Sequence, residues 1–319
     1  MIVVLTGGTG GAKFVDGLRR VIPAEELTII VNTGDDEEWW GLYVSPDVDS
    51  ITYALAGILS SERGWGVRGD TFHCLRAMKD LGEPTWFSVG DRDLALHLMR
   101  TKLMSQGCTL SEVTRIIADR FSLSARILPM SDQRVQTRID TPSGELSFEE
   151  YFVKRWFQDP VNSVRFAGAS ETVPAPGVLD AIASARAVLI APSNPVTSIG
   201  PILSVPGIRE ALTQTKAPVV AVSPIIGDKA VTGPAATLMA AHGLEVSIRG
   251  VAAAYQGFLD MLIAHSSDFA AAEALTTGKF QVYCANILMN TLEEKTQVAR
   301  TALSLACPGI VIASSAEAQ

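Results

Sequence analysis

Two carboxylates two residues apart, Asp47 and Asp49 in "SPDVDS", stand directly before the apolar, helix-like run "ITYALAGIL". Carboxylates placed so can cap a helix, hold a divalent cation or take the proton of an attacking hydroxyl. Capping needs one side chain, and this stretch offers four polar ones. Asp49 is therefore expected to be functional, and Asp47 to cap or support. A second charged group, "SVGDRD", sets Asp91, Arg92 and Asp93 ahead of the helical pattern "LALHLMRTKL". Its carboxylates suit the first turn of that helix, whereas the Arg92 guanidinium could grip a phosphate or carboxylate through two parallel bonds.

Two uncharged or nearly uncharged loops add hydrogen-bonding groups. "TGGTGGAK" (6–13) is a glycine-rich turn entering a helix, and it offers Gly8, Thr9, Gly10 and Lys13 to a phosphate. It lacks the Gly-Lys-Ser/Thr end of a Walker A loop, and Lys13 stands where a dinucleotide loop has its third glycine. "PSNPVTSIGP" sets Ser193, Asn194, Thr197, Ser198 and Gly200 between Pro192, Pro195 and Pro201. Prolines fix φ, so these groups are held ready for phosphate oxygens or a nucleobase edge. The histidines His73, His97, His242 and His265 form no HxxxH or HExxH pattern and are expected at the surface or in a cap. No GxSxG elbow supports hydrolase chemistry.

The elements that must carry these groups read as a doubly wound sheet. "IVVLTGG" and "LTIIVNTGDD" are β-rich runs ending in loops, with the helical pattern of "AKFVDGLRRVI" between them. Similar strands recur at "ARAVLIAPSNP" and "APVVAVSPIIG", and more weakly at "LEVSIRGVA". Between them, "GDTFHCLRAMKDLG", "RDLALHLMRTKLMSQG" and "TLSEVTRIIADRFSL" read as helices, followed by a hairpin turning at 142–144. The expected fold is α/β: a Rossmann-like parallel sheet with helices on both faces and a mainly helical insertion or cap. Residues 1–60 and 180–319 would form the core and 61–179 the cap. Ligands of such sheets bind at the carboxyl ends of the strands. The loops to watch are thus 6–13, 32–36, 191–201 and 223–235.

Composition narrows the class. The chain has 319 residues, 47% of them hydrophobic, and a formal charge of −8. That balance argues against a nucleic-acid-coating protein, whose affinity comes from Lys and Arg on phosphates. Cys74, Cys108, Cys284 and Cys307 share no CxxC spacing, so structural zinc and a disulfide framework are not expected. The amino terminus lacks the pattern of a signal peptide, and no apolar run reaches the roughly 18 residues of a membrane span. A soluble, cytoplasmic protein is expected.

Taken in order, "GGTGGAK", "VNTGDD", "SPDVDS", "SVGDRD", "LPMSDQRVQT", "PSNPVTSIGPIL" and "VSPIIGDKAVTGPA" resemble one family. It is the 2-phospho-L-lactate transferase family of coenzyme F420 biosynthesis, which includes the bacterial phosphoenolpyruvate transferases. The likeness runs from residue 1 to about 265, and the tail "NILMNTLEEKTQVARTALSLA" shares it. It implies transfer of a phosphorylated three-carbon acid (2-phospho-L-lactate, phosphoenolpyruvate or phosphoglycerate) from its guanosine diphosphate conjugate to the ribityl hydroxyl of the deazaflavin Fo, releasing GMP. It also implies a Mg²⁺ requirement and a homodimer, with no nucleic-acid or membrane partner. Carried over by position, it sets Fo beside Asp49 and Arg92, makes Asp49 the acceptor-activating and metal-binding carboxylate, and turns the loops 193–201 and 223–235 toward the guanosine diphosphate. The aromatic run "WWGLYV" (39–44) would offer surface to a flat tricyclic ring.

Two other readings compete. "LTGGTGG", with Asp35 and Asp36 about 27 residues beyond Gly8, has the look of a dinucleotide-binding start, as in an NAD(P)-dependent epimerase or reductase. Such enzymes commonly pair a Tyr with a Lys four residues later. Here Tyr43, Tyr53, Tyr151, Tyr255 and Tyr283 are followed by Asp47, Gly57, Arg155, Leu259 and Ile287. The third reading, a non-catalytic nucleotide-binding regulator, has no use for an acceptor-activating carboxylate.

Overall fold

Seven β-rich runs pair in parallel in the computed structural model, which describes residues 1–309. They are β1 (Ile2–Thr6), β2 (Leu27–Val31), β3 (Arg126–Pro129), β4 (Ala187–Ile190), β5 (Val219–Val222), β6 (Met261–His265) and β7 (Gln281–Ala285), in the order β7-β6-β5-β4-β1-β2-β3. Four helices matter most for the site: α1 (Gly8–Leu18), α2 (Pro46–Leu55), α3 (Asp91–Ser105) and α4 (Leu292–Ala306). Val3, Leu5, Val188 and Ile190 face one core layer. Ile2, Val4, Ala187 and Leu189 face the other, with α1, α2 and α4. Both faces are covered, so the strands need apolar residues at every position rather than alternate ones. Each buried Val, Leu or Ile contributes about 1.5–3 kcal/mol.

The chain lays down β1, β2 and β3 outward in one direction, then returns to the other side of β1 as β4. The winding reverses between β1 and β4, and the loops after these strands diverge to open a crevice. Those loops are the glycine-rich turn and the proline-framed loop. The expected α/β sheet is therefore present, with its ligand end where the motifs lie.

Some local expectations change. "LEVSIRGVA" is not a strand: Ser247 Oγ accepts the Arg249 N–H (3.0 Å) and starts the helix Ile248–Ala254. An N-cap followed by an alanine-rich run outweighs the short β-branched pattern. The strands beyond β5 are "MLIAH" and "QVYCA". Residues 61–179 do carry helices at His73–Asp80, at α3 and at Leu110–Arg120. Yet they also supply β3, the edge of the main sheet, and a three-stranded antiparallel sheet of Gln136–Thr141, Gly144–Ser147 and Ser163–Ala167. The four residues of β3 end in proline, which an edge strand tolerates and which hides the strand from periodicity. No helix among the described residues is long and apolar enough to cross a membrane.

Candidate active site

At the reversal point, the loops after β1 and β4 are stitched together by side chains. Ser193 Oγ donates to the Gly7 carbonyl (2.7 Å) and accepts the Gly7 N–H (3.4 Å). The Asn32 amide, at the end of β2, donates to Asp35 Oδ2 and Asp47 Oδ2, each at 2.9 Å, and lies 3.3 Å from the Thr197 carbonyl. Asp47 Oδ1 accepts the Gly8 N–H at 2.6 Å. Gly7 leaves room for this convergence: a Cβ there would stand 2.6 Å from Asp47 Oδ2 and 3.0 Å from Ser198 Cβ. The glycine-rich turn thus receives a carboxylate of its own chain at its first helical N–H.

That fact weakens the dinucleotide reading, in which the same N–H would face a pyrophosphate. Asp36 does not stand ready for a ribose either. Its two oxygens accept from Tyr43 Oη (2.8 Å) and Ser45 Oγ (2.7 Å), which tie the hairpin 37–44 to the head of α2.

Asp35, Asp36, Asp47 and Glu149 are all buried. Burial pushes Asp35 well above the carboxylate range, and the nearby Asp47 and Glu149 charges add to the effect. Burial raises Asp47 to about 6 although Asn32 and the Gly8 N–H hold it down. Glu149 rises to about 8, first by burial and then by Asp47, Glu37 and Asp36. Asp36 reaches about 8 by burial against its two hydroxyl donors. A group of carboxylates that disfavour one another's charge suits a hard divalent cation, which binds oxygen.

The magnesium implied by the resemblance fits part of this group. Asp35 Oδ1 is buried without a hydrogen-bond partner among the described residues, so it has a lone pair to give. Glu149 and Asp47 lie within its electrostatic reach. Asp49 fits poorly. Arg100, fully buried, donates Nη1 to Asp49 Oδ2 at 3.0 Å and Nη2 to Asp49 Oδ1. A fixed guanidinium on both oxygens repels a second cation. Asp49, Asp93 and His97 bring donor atoms together, with His97 Nδ1 3.5 Å from Asp49 and Nε2 3.6 Å from Asp93, but the same guanidinium stands beside them. His97, expected at the surface or in a cap, is instead buried between α2 and α3 because two carboxylates flank its ring.

The remaining expected residues part company. Arg92 is exposed at the head of α3, with its N–H on Asp70 (2.9 Å) and Nη1 3.4 Å from the Arg68 carbonyl. Asp91 caps the helix 73–80, accepting the N–H groups of His73 and Cys74, both at 2.9 Å. Lys13 is half-buried, and burial with the nearby Lys295 lowers it, so it lies toward α4. Thr9 borders the loop 60–72, since a Cβ at Gly64 would lie 3.6 Å from its methyl. Gly10 packs against the Pro192 carbonyl, where no Cβ fits. Asn194 Oδ1 accepts the Val196 N–H (2.9 Å) and so serves the loop itself, whereas Thr197 is fully buried, with its hydroxyl unpartnered among the described residues. Ser198 Oγ faces Gly8, 3.4 Å from where its Cβ would be, and has no partner among the described residues. Gly200 packs on Phe166, and the loop 223–235 leaves the end of β5 as a short hairpin. Trp39 is buried against Trp40, Trp86 and Phe87, and Val44 is buried as well, whereas Trp40, Leu42 and Tyr43 are half-buried and Gly41 is exposed, so the "WWGLYV" run is only partly core.

Asn32, Glu149, Arg100 and the buried place of His97 were not expected. Asn32 had a signal, since it opens the strand-end loop "NTGDD". Glu149 and Arg100 had none, being ordinary charges in amphipathic patterns.

A Rossmann-like sheet with an acidic crevice at its reversal point defines the class. Residues 2–301 match the family described as 2-phospho-L-lactate transferase CofD, and the chain belongs to this transferase family. It is 41% identical over 304 residues to a 2-phospho-L-lactate transferase of Methanococcoides burtonii, covering 95% of this chain and 99% of that one. It is 42% identical over 311 residues to a phosphoenolpyruvate transferase of Streptomyces coelicolor, covering 96% and 98%. A solved Bacillus halodurans protein of the upf0052 family shares the fold, with a TM-score of 0.63, 18% identity and 95% and 99% coverage.

Proposed function

We propose that this protein moves a phosphorylated three-carbon acid from its guanosine diphosphate conjugate to the ribityl hydroxyl of the deazaflavin Fo, releasing GMP. The acid is 2-phospho-L-lactate, phosphoenolpyruvate or phosphoglycerate. Relatives similar over their whole length carry the first two of these in their names. The observation that carries the reading is Asn32, at the end of β2, bridging Asp35 and the Asp47 that holds the Gly8 N–H.

The acceptor hydroxyl attacks the phosphorus that bears the acid. Its P–O bond to the GMP phosphate breaks, GMP leaves with the electron pair, and the hydroxyl proton passes to a carboxylate. Asp47, raised to about 6, has a proton affinity suited to that task near neutral pH. Asp35 and Glu149 would hold magnesium, which neutralises phosphate charge when bound. Ser198, Thr9 and Gly10 border the crevice and receive phosphate oxygens. Arg92, exposed at the head of α3, keeps guanidinium N–H groups for the acceptor. Asp49 then acts through Arg100, fixing α3 to α2. The homodimer and cytoplasmic location belong to the same reading.

The test is transfer itself. Product mass after incubation with Fo, Mg²⁺ and each donor conjugate identifies the acid. GDP with Mg²⁺ should also stabilise the fold, by about 2.7 kcal/mol at a hundredfold excess over Kd. Stabilisation by NAD⁺ with GDP silent would sink the reading.

A further inference from the structure

The loop 60–72 crosses between the heads of α1 and α3. Gly64 meets Thr9 on one side, and on the other Asp70 accepts the N–H groups of Arg92 (2.9 Å) and Asp93 (3.1 Å). Ser60 and Gly66 close the loop on itself, the Ser60 N–H reaching the Gly66 carbonyl at 3.0 Å. Gly64, Gly66 and Gly69 all have φ between 67° and 76°, so the turns need glycine. The loop is therefore fixed at both ends beside the acidic crevice.

Arg63 sits on this loop, half-buried. Its guanidinium carbon lies 4.7 Å from the ring centre of Phe72 and 5.5 Å from that of Trp65. Two aromatic faces hold the side chain, yet its guanidinium meets no carboxylate or carbonyl among the described residues. Stacking leaves the edge of the guanidinium, with its N–H fork, to an outside acceptor. Ordering a long side chain in advance reduces the entropy lost on binding. Thr9, which Gly64 meets, lies in the same turn as Gly8, whose N–H is held by Asp47.

We infer that Arg63, stacked in place beside the glycine-rich turn, grips the diphosphate of the donor. The inference rests on the transferase reading for the donor's identity, and on the loop alone for the chemistry: a diphosphate anion received by the guanidinium fork. Arg63 is thereby a substrate-positioning residue next to Thr9.

Titration calorimetry of inorganic pyrophosphate, GDP and guanosine, with Mg²⁺ present, tests it in the wild type, Arg63→Lys and Arg63→Met. Arg63→Met removes the charge-assisted bonds, so pyrophosphate and GDP should bind about tenfold to hundredfold more weakly while guanosine is unchanged. Arg63→Lys keeps the charge and the stacking but not the fork, and should fall between. The unfolding midpoint of each variant shows that the loop still folds. Equal pyrophosphate affinity in all three proteins overturns the assignment, as does a wild type that binds no pyrophosphate. Arg63-dependent pyrophosphate binding in a protein that transfers nothing to Fo keeps the assignment and sinks the transferase reading alone.

Discussion

Arg100 and Asp49 form a pair sealed from water between α3 and α2, with Arg100 wholly buried and Asp49 4% exposed. Breaking such a pair from one side strands a charge and costs about 3–5 kcal/mol. Arg100→Met and Asp49→Asn should each destabilise on that scale, and the double variant by clearly less than their sum. Denaturant unfolding of the four proteins measures this. Additive losses below about 1 kcal/mol would remove the anchor role. A fully stable Asp49→Asn that loses transfer by about a hundredfold or more would make Asp49 the reacting carboxylate instead.

Asp47→Asn keeps an oxygen for the Gly8 N–H but cannot take a proton. Transfer should fall by at least about a hundredfold in kcat, with magnesium affinity nearly kept. Asp35→Asn should show the reverse order, losing magnesium affinity first. Calorimetry with Mg²⁺ and steady-state kinetics separate the two, and identical profiles would show that the division of roles is wrong.

Gly7→Ala tests how closely the crevice is built. The new methyl would lie 2.6 Å from Asp47 Oδ2 and 2.9 Å from Asn32 Cβ, and both neighbours are buried. Overpacking of this kind costs about 1–3 kcal/mol. The midpoint of unfolding should fall and transfer should collapse with it. A variant as stable and active as the wild type would mean that Asp47 and Asn32 are free to move.

Asp91 gives a pH prediction. Its carboxyl is lowered to about 2, first by the Thr71 hydroxyl and then by the Cys74 and His73 N–H groups. A lowered carboxyl stabilises above its unfolded pKa of about 3.9, and that contribution is lost as pH falls through about 2. Amide exchange at residues 73–80 should speed up in Asp91→Ala at pH 7. In that variant, the local loss between pH 4 and 2 should disappear. Protection unchanged by the substitution would show that the cap does nothing for this helix.

The fold was legible where one chemical pattern is enough to define an element. β1, β2, β4 and β5 are short β-branched runs closed by glycine or proline loops, and burial on both faces leaves them no other composition. β3, β6 and β7 were not read as strands: β6 is the buried run "MLIAH", which periodicity alone does not tell from a buried helix segment. β3 is four residues ending in proline, and β7 is a half-buried edge whose composition is mixed.

The sequence by itself determined the sheet class, the strand-end loops, the family and the acidic character of "SPDVDS". It also carried Asp47 and Asp49 two positions apart, with nothing to tell one carboxylate from the other. Only the tertiary structure separated them. On a helix, positions two apart point about 200° from each other, so α2 sends Asp47 to Gly8 and Asn32 and Asp49 to Arg100. Which of two like carboxylates meets a cation and which meets the crevice depends on partners 39 and 51 residues away in the chain, and no local pattern contains that distance.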